Sequence, residues 1–419
     1  MATALRDANT MVKFDQKQRW DVADVFRGYG HEYKQNYPLS YAQQKTMTRV
    51  MACRTEFLGG QRELCNSCGY ERLVFKSCRD RHCPKCQATV KAKWLQSREK
   101  ELLPVAYFHV VFTLPHELNA LFLNNKKVIG DLFFRAISET LLQFGKNPKN
   151  GLAGKIGFLA ILHTWDQKLL DHFHIHCLVP AGALADDGCR WIHPKRNYLF
   201  PVAALSVVFR GKFIDFLTAA YNKGLLRFSD RTEPLGLPDG FKDFTKKLWG
   251  KKWVVYSKPA MWHPKQVLEY LARYVHRVAI SNYRIKNVQD GKVTFSYKDR
   301  KDNNTQKEMT IEATEFIRRF LLHLLPMYFM KIRAYGFWAN RSKREKLTRC
   351  QELLHVKKST TQSETKTTIE LICEMIGFDI TRCPHCKKGA MKIVESITPL
   401  LSKVTIYDLF FLSSRGDTS

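Results

Sequence analysis

Residues 105–114 run Val-Ala-Tyr-Phe-His-Val-Val-Phe-Thr-Leu, a β-branched and aromatic stretch stopped by Pro115. Such a run predicts a buried central strand. From 117 to 144 the apolar positions shift to helical spacing (Leu118, Leu121, Phe122, Leu132, Phe133, Ile137), with a break near Asn124 and Asn125. Two further apolar runs, 161–165 and 172–179, flank the polar stretch Asp166 to Asp171, and together they predict an antiparallel hairpin. Helical periods return over 203–227 and over 314–333, the latter interrupted by Pro326 and with Arg318, Arg319, Lys331 and Arg333 facing out. Ahead of the first strand, the pattern predicts two short helices within 17–52, split by Pro38, and one over 88–103, ended by Pro104. A strand, a long helix and a hairpin suit an α+β domain: three adjacent antiparallel strands with helices on one face.

The second hairpin strand breaks the usual pattern. Alternation sends His172, His174 and His176 one way and Phe173, Ile175 and Cys177 the other, toward the helices. His163 lies on the neighbouring strand. Histidines at i and i+2 can share a cation; a pH-sensitive surface or a structural metal clip fits the same pattern.

Two Cys-x-x-Cys knuckles, Cys65/Cys68 and Cys83/Cys86, stand fourteen residues apart. That spacing predicts one tetrahedral Zn²⁺ held by Cys65, Cys68, Cys83 and Cys86, with Cys78 and His82 as alternates. Basic residues around the knuckles (Arg62, Arg72, Arg79, Arg81, Lys85) make this a zinc ribbon suited to gripping DNA. Cys383 and Cys386 form a lone knuckle, whose completion needs Cys373, His385 or another chain.

A length of 419 residues predicts two or three domains. Charge narrows the partner: 68 Lys+Arg against 39 Asp+Glu leave +29, which favours nucleic acid ahead of an anionic membrane. No apolar run is long enough to span a bilayer and Met1 to Trp20 has no apolar signal region, so a soluble, cytoplasmic protein is expected. Between Phe241 and Trp262, lysines alternate with aromatic rings, the ingredients of a single-strand groove. Lys247, Lys251, Lys252 and Trp253 are its candidate DNA contacts, joined by Arg273 and Arg277 on the next helix. That helix, opened by Pro264, carries Tyr270 and Tyr274 on one face. Alone they read as amphipathic tyrosines capping an apolar stripe. Beside a histidine-held cation they read as nucleophiles for a phosphodiester.

Histidine, hydrophobe, histidine on a strand with Tyr-x-x-x-Tyr downstream resembles the HUH endonucleases. The stretch Ser77 to Cys86, His163-Thr164-Trp165, Tyr270 to Asn282 and Tyr335-Gly336-Phe337 with Asn340-Arg341 is similar, more closely, to the IS91-family two-tyrosine transposases of rolling-circle insertion sequences. The resemblance implies an HUH-type antiparallel sheet with helices packed on it, an N-terminal zinc ribbon and a helical C-terminal region. It implies cleavage and rejoining of single-stranded DNA at element ends through a 5′-phosphotyrosine, with Mg²⁺ or Mn²⁺ on the histidines and Zn²⁺ in the ribbon. Tyr270 and Tyr274 match the nucleophiles, and His174 and His176 match the histidine pair. His163, eleven residues before His174, is the expected third ligand, with His172 as alternate. Two departures from the family pattern stand close by, Asp166 for a small residue and Phe173 for proline. The expected divisions are 1–103 (helices and zinc domain), 104–300 (catalytic domain), 301–355 (basic helical extension) and 356–419 (linker and tail with the lone knuckle). Expected partners are single-stranded DNA at transposon ends and target, a host helicase because no Gly-x-x-x-x-Gly-Lys motif is present, and replication proteins. The setting would be a bacterial cytoplasm, at the nucleoid when DNA is bound. A plasmid replication initiator or relaxase would use the same chemistry, and a non-catalytic zinc-dependent DNA-binding regulator is the alternative from another class.

Overall fold

The structure, a computed structural model, describes residues 20–194, 199–261, 266–267, 274–275, 277–356 and 366–400. Helices α1 (Val22–Asn36) and α2 (Tyr41–Ala52) open it, each started by a capping box, Asp21 with Asp24 and Ser40 with Gln43. Hairpin β1 (Gly60–Cys65) and β2 (Glu71–Phe75) follows, then α3 (Gln87–Glu99). The central strand β3 (Tyr107–Thr113) leads into α4 (Asn119–Asn124) and α5 (Lys126–Lys146), broken at Asn125, whose side chain bonds the Leu121 and Arg227 carbonyls. The histidine hairpin is β4 (Gly157–Trp165) and β5 (Asp171–Pro180), followed by the small ribbon β6 (Ala183–Leu184) and β7 (Trp191–Ile192). Helices α6 (Val202–Asn222) and α7 (Pro238–Gly250) precede β8 (Val254–Met261). A meander follows, β9 (Ile285–Gln289), β10 (Lys292–Asp299) and β11 (Thr305–Glu312), then a helix over Ala313–Leu322 and β12 (Ile332–Gly336). Helices over Lys343–Leu353 and Thr368–Ile376 lead to β13 (Met391–Ile397).

The central sheet is antiparallel in the order β12-β4-β5-β3-β8. One face (Val110, Phe112, Phe158, Ala160, Leu162, Phe173, Ile175, Cys177) is buried under α4 to α7 and forms the main core. The opposite face is graded. At one end Tyr107, Leu159, Ile161 and Leu178 pack with Val267 and Val275, whereas the other end carries the histidines. A third core joins α1, α2, the β9–β11 meander and the helix Ala313–Leu322.

Several expected boundaries are corrected. Residue 300 lies between β10 and β11, and β12 is an edge strand of the central sheet, so residues 301–355 are no separate extension. The helix expected over 314–333 ends at Leu322 because Pro326 cannot continue it, and residues 332–336 pair with β4 instead. The basic residues expected to face out are engaged: Arg318 and Arg319 bond Glu315, Lys331 donates to the Arg277 carbonyl and Arg333 bonds Asp131. Within the expected tail, Met391–Ile397 forms β13, which completes a three-stranded sheet with β1 and β2. Among the described residues, no helix is long and apolar enough to cross a membrane.

Candidate active site and metal centres

Register places the histidines. His163 on β4 stands directly opposite His174 on β5, and His176 follows two positions on along the same face. The three rings converge, with one potential ligand nitrogen of each within 4.8 Å of the others. Each ring is oriented by a bond from its other nitrogen. His163 donates from Nε2 to the Tyr274 carbonyl (2.9 Å), and His174 from Nδ1 to the His172 carbonyl (2.9 Å). His176 Nδ1 lies 2.9 Å from Nε2 of His109 on β3, and its buried Nε2 has no partner in the structure. An orphaned imidazole nitrogen aimed at two others is a donor set suited to a cation. Burial holds all three below the usual histidine range, His174 down to about 3, so near neutral pH they are the uncharged form that ligates. His172 contributes a carbonyl to this set, and its ring lies outside it. Sequence reasoning had no means of finding His109, because its meeting with His176 depends on the β3–β5 register.

The turn that fixes this register is clamped. Asp166 accepts from the backbone of Lys168 and Leu170 (both 2.8 Å), which uses its Oδ1 for the turn rather than for the cation set. The carbonyls of Gln167, Lys168 and Leu169 receive bonds from Arg284, Arg319 and His323 respectively. The other departure, Phe173, faces the core and stacks on Phe122.

Tyr274 sits on the histidine cluster, its ring centroid 4.1 Å from His176 and 5.8 Å from His163. The bond from His163 to its carbonyl and the burial of Val275 against Ile161 and Leu178 hold it there. Tyr270 and Arg273 lie outside the described residues. Arg277 is exposed beside the cluster. Trp253 requires correction as a base-stacking residue: it is 2% exposed, packed on Phe209 and Phe213. Lys251 pairs with Glu117 at 2.6 Å, Lys252 is exposed before β8, and Lys247 is exposed on α7, in the helical layer behind the sheet. Within the basic aromatic stretch, the ring placed for a base is that of Tyr256 rather than Trp253. It is 52% exposed on edge strand β8, opposite Val111 and therefore on the histidine face, with exposed Lys258 opposite His109.

The cysteines do not group as the spacing predicts. Cys53, Cys78, Cys83 and Cys86 form one cluster, and Cys65 and Cys68 join Cys383 and Cys386 in another. Geometry explains the difference. Cys65 and Cys68 occupy the tip of the β1–β2 hairpin while Cys53 and Cys78 flank its base, and a six-residue strand separates the two ends by roughly 17 Å. Cys83 and Cys86, which lead into α3, reach the base, with Sγ of Cys86 3.4 Å from Cys53 and 3.5 Å from Cys78. Hydrogen bonds with Cys78 and Cys83 hold the Cys53 thiol below its usual range. Four thiols at this separation suit tetrahedral Zn²⁺. His82 stays outside the cluster, facing Asp80 and accepting from the Leu325 backbone.

Comparison with known proteins identifies related transposases. A family described as "Putative transposase" matches residues 157–346, and one described as "Transposase zinc-binding domain" matches residues 25–114. The chain is 45% identical over 379 residues to "Putative transposase y4qJ" of Sinorhizobium fredii (strain NBRC 101917 / NGR234), covering 90% of this chain and 95% of that protein. It is 28% identical over 313 residues to "Transposase for insertion sequence element IS801" of Pseudomonas savastanoi pv. phaseolicola, covering 71% of this chain and 70% of that protein. No solved structure matches. With the zinc-binding and transposase regions both matched, the chain belongs to the IS91 family of transposases.

Proposed function

We propose that this transposase cuts and rejoins single-stranded DNA at the ends of its element through a 5′-phosphotyrosine, with His163, His174 and His176 holding Mg²⁺ or Mn²⁺. The observation that carries the reading is Tyr274 packed on His176 and His163, two of three converging neutral imidazoles. A divalent cation there would neutralise charge on the scissile phosphate and hold it in line. The tyrosine hydroxyl would give up its proton as its oxygen bonds to phosphorus and the bond to the 3′-oxygen breaks; that oxygen takes up a proton and leaves as the 3′-hydroxyl, while the 5′-phosphate stays on the enzyme, which conserves a bond for rejoining. Tyr270 is the second nucleophile, so one tyrosine holds an end while the other cuts again. His109 and the backbone carbonyls of His172 and Tyr274 fix the imidazoles so that each presents one nitrogen. Tyr256 and Lys258 on the rim offer a stacking ring and a cation to an unpaired strand, and Arg277 extends the basic surface. Strand separation falls to a helicase or to replication.

The test is incubation with labelled single-stranded oligonucleotides from the element's own ends and Mg²⁺ or Mn²⁺, resolved on denaturing gels. Cleavage should occur on single strands and be lost on fully paired duplex. His174→Ala should abolish it while leaving the zinc content of the cysteine clusters unchanged. DNA binding with no cleavage under any divalent cation would overturn the reading and favour a DNA-binding regulator.

A further inference from the structure

We propose a second structural zinc site that closes the two ends of the described chain onto each other, built from Cys65, Cys68, Cys383 and Cys386. Its distances carry the proposal. Sγ of Cys65 lies 3.7 Å from Cys386, and Sγ of Cys68 lies 3.7 Å from Cys383. Four sulfurs around Zn²⁺ with bonds of about 2.3 Å stand about 3.8 Å apart along each tetrahedral edge. A disulfide would bring the sulfurs to about 2.05 Å, and all four are free thiols.

The backbone supports the same assignment. Each knuckle is a tight turn closed by a bond to the carbonyl of its first cysteine, from Gly69 to Cys65 and from Lys387 to Cys383. Each turns through a left-handed residue, Gly69 at φ 72° and Lys387 at φ 58°. Amides point at the sulfurs, Ser67 N at Cys65 (3.4 Å) and Gly389 N at Cys386 (3.3 Å), as thiolates require for charge dispersal. Asn66 locks the two turns through a pair of bonds with Ala390. A Cβ on Gly389 would stand 2.5 Å from Cys65 Sγ, so this position has room only for glycine. From the site, β13 runs back along β1 over Met391–Ile397, and Arg62 bridges to Glu395 at 2.8 Å. The knuckles are 315 and 321 residues apart in sequence. One ion therefore ties the segment from Cys383 to Ile397 to the N-terminal ribbon, where a three-stranded sheet alone would have little core to hold it.

The test uses the full chain as purified with zinc. Reconstitution of the reduced apoprotein with Co²⁺ should give two equivalents with thiolate-to-cobalt charge-transfer absorption, which the histidines cannot supply. Cys383→Ser with Cys386→Ser should reduce this to one equivalent and lower bound zinc by one ion per chain. Alkylation mapped by mass spectrometry then identifies the partners: in that variant Cys65 and Cys68 become reactive while Cys53, Cys78, Cys83 and Cys86 stay protected. A single cobalt–thiolate equivalent in the wild-type chain would overturn the proposal, independently of how the variant folds. So would continued protection of Cys65 and Cys68 in the double variant, or their exposure upon Cys83→Ser in place of Cys383→Ser.

Discussion

His176 shows what a single residue's surroundings contribute. Its Nε2 is available for a cation only while Nδ1 is engaged by His109 (2.9 Å), so His109 positions it from the next strand. His109→Ala should weaken Mn²⁺ binding by roughly 10–100-fold, measured by titration calorimetry, without loss of zinc. The parity of His174 and His176 is legible in sequence because a strand alternates strictly. His109 is not, because a one-residue slip of β3 would turn its ring into the core. Buried His323 makes a second prediction. It donates to Leu169 (3.0 Å) and faces the Thr164 hydroxyl (3.3 Å), and burial pushes it down to about 4. A lowered histidine pKa means that the unfolded chain takes up a proton first as pH falls. Stability is therefore complete above about 6.5 and lost progressively toward pH 4, by about 3 kcal/mol for this group. His323→Gln keeps an N–H donor and should flatten the fall in melting temperature between those limits, measured by calorimetry. An unchanged slope would remove His323 from this role.

At the scale of elements, the central strand and the histidine hairpin were readable from runs of β-branched residues and their turn, and the break in the long helix from its paired asparagines; β8 and the β9–β11 meander were not. The stretch 323–336 was not, since a short apolar segment has no period that separates helix from edge strand. Gly336 ends β12 at φ 64°, where an added Cβ would stand 1.7 Å from the Ile156 carbonyl oxygen. Gly336→Ala should cost roughly 3 kcal/mol or more in urea denaturation and loosen the β12–β4 edge. Gly28 in α1 meets nothing within 4 Å, so Gly28→Ala should stabilise by about 0.5–1 kcal/mol. Equal effects from the two would mean that the edge pairing is not what Gly336 serves.

For the whole molecule, spacing identified the knuckles and paired Cys65 and Cys68 with the wrong partners. Cys-x-x-Cys encodes two thiolates on one turn, whereas the choice of the other two depends on where a hairpin tip and a chain end meet. One clue was present: a hairpin that pairs Gly60 with Phe75 carries Cys53 and Cys78 together at its base. The side chains fall into two kinds of cluster, two of four thiols each and one of imidazoles beside Tyr274, and the proposed catalytic role belongs to the last. Mass-spectrometric mapping of the covalent protein–DNA adduct, formed on single-stranded end DNA with Mn²⁺, tests that assignment most directly. A nucleotide-modified peptide is expected at Tyr270 or Tyr274, lost in the Tyr270→Phe, Tyr274→Phe double variant and in His174→Ala. An adduct on any other residue, or one that persists in the double variant, would contradict it.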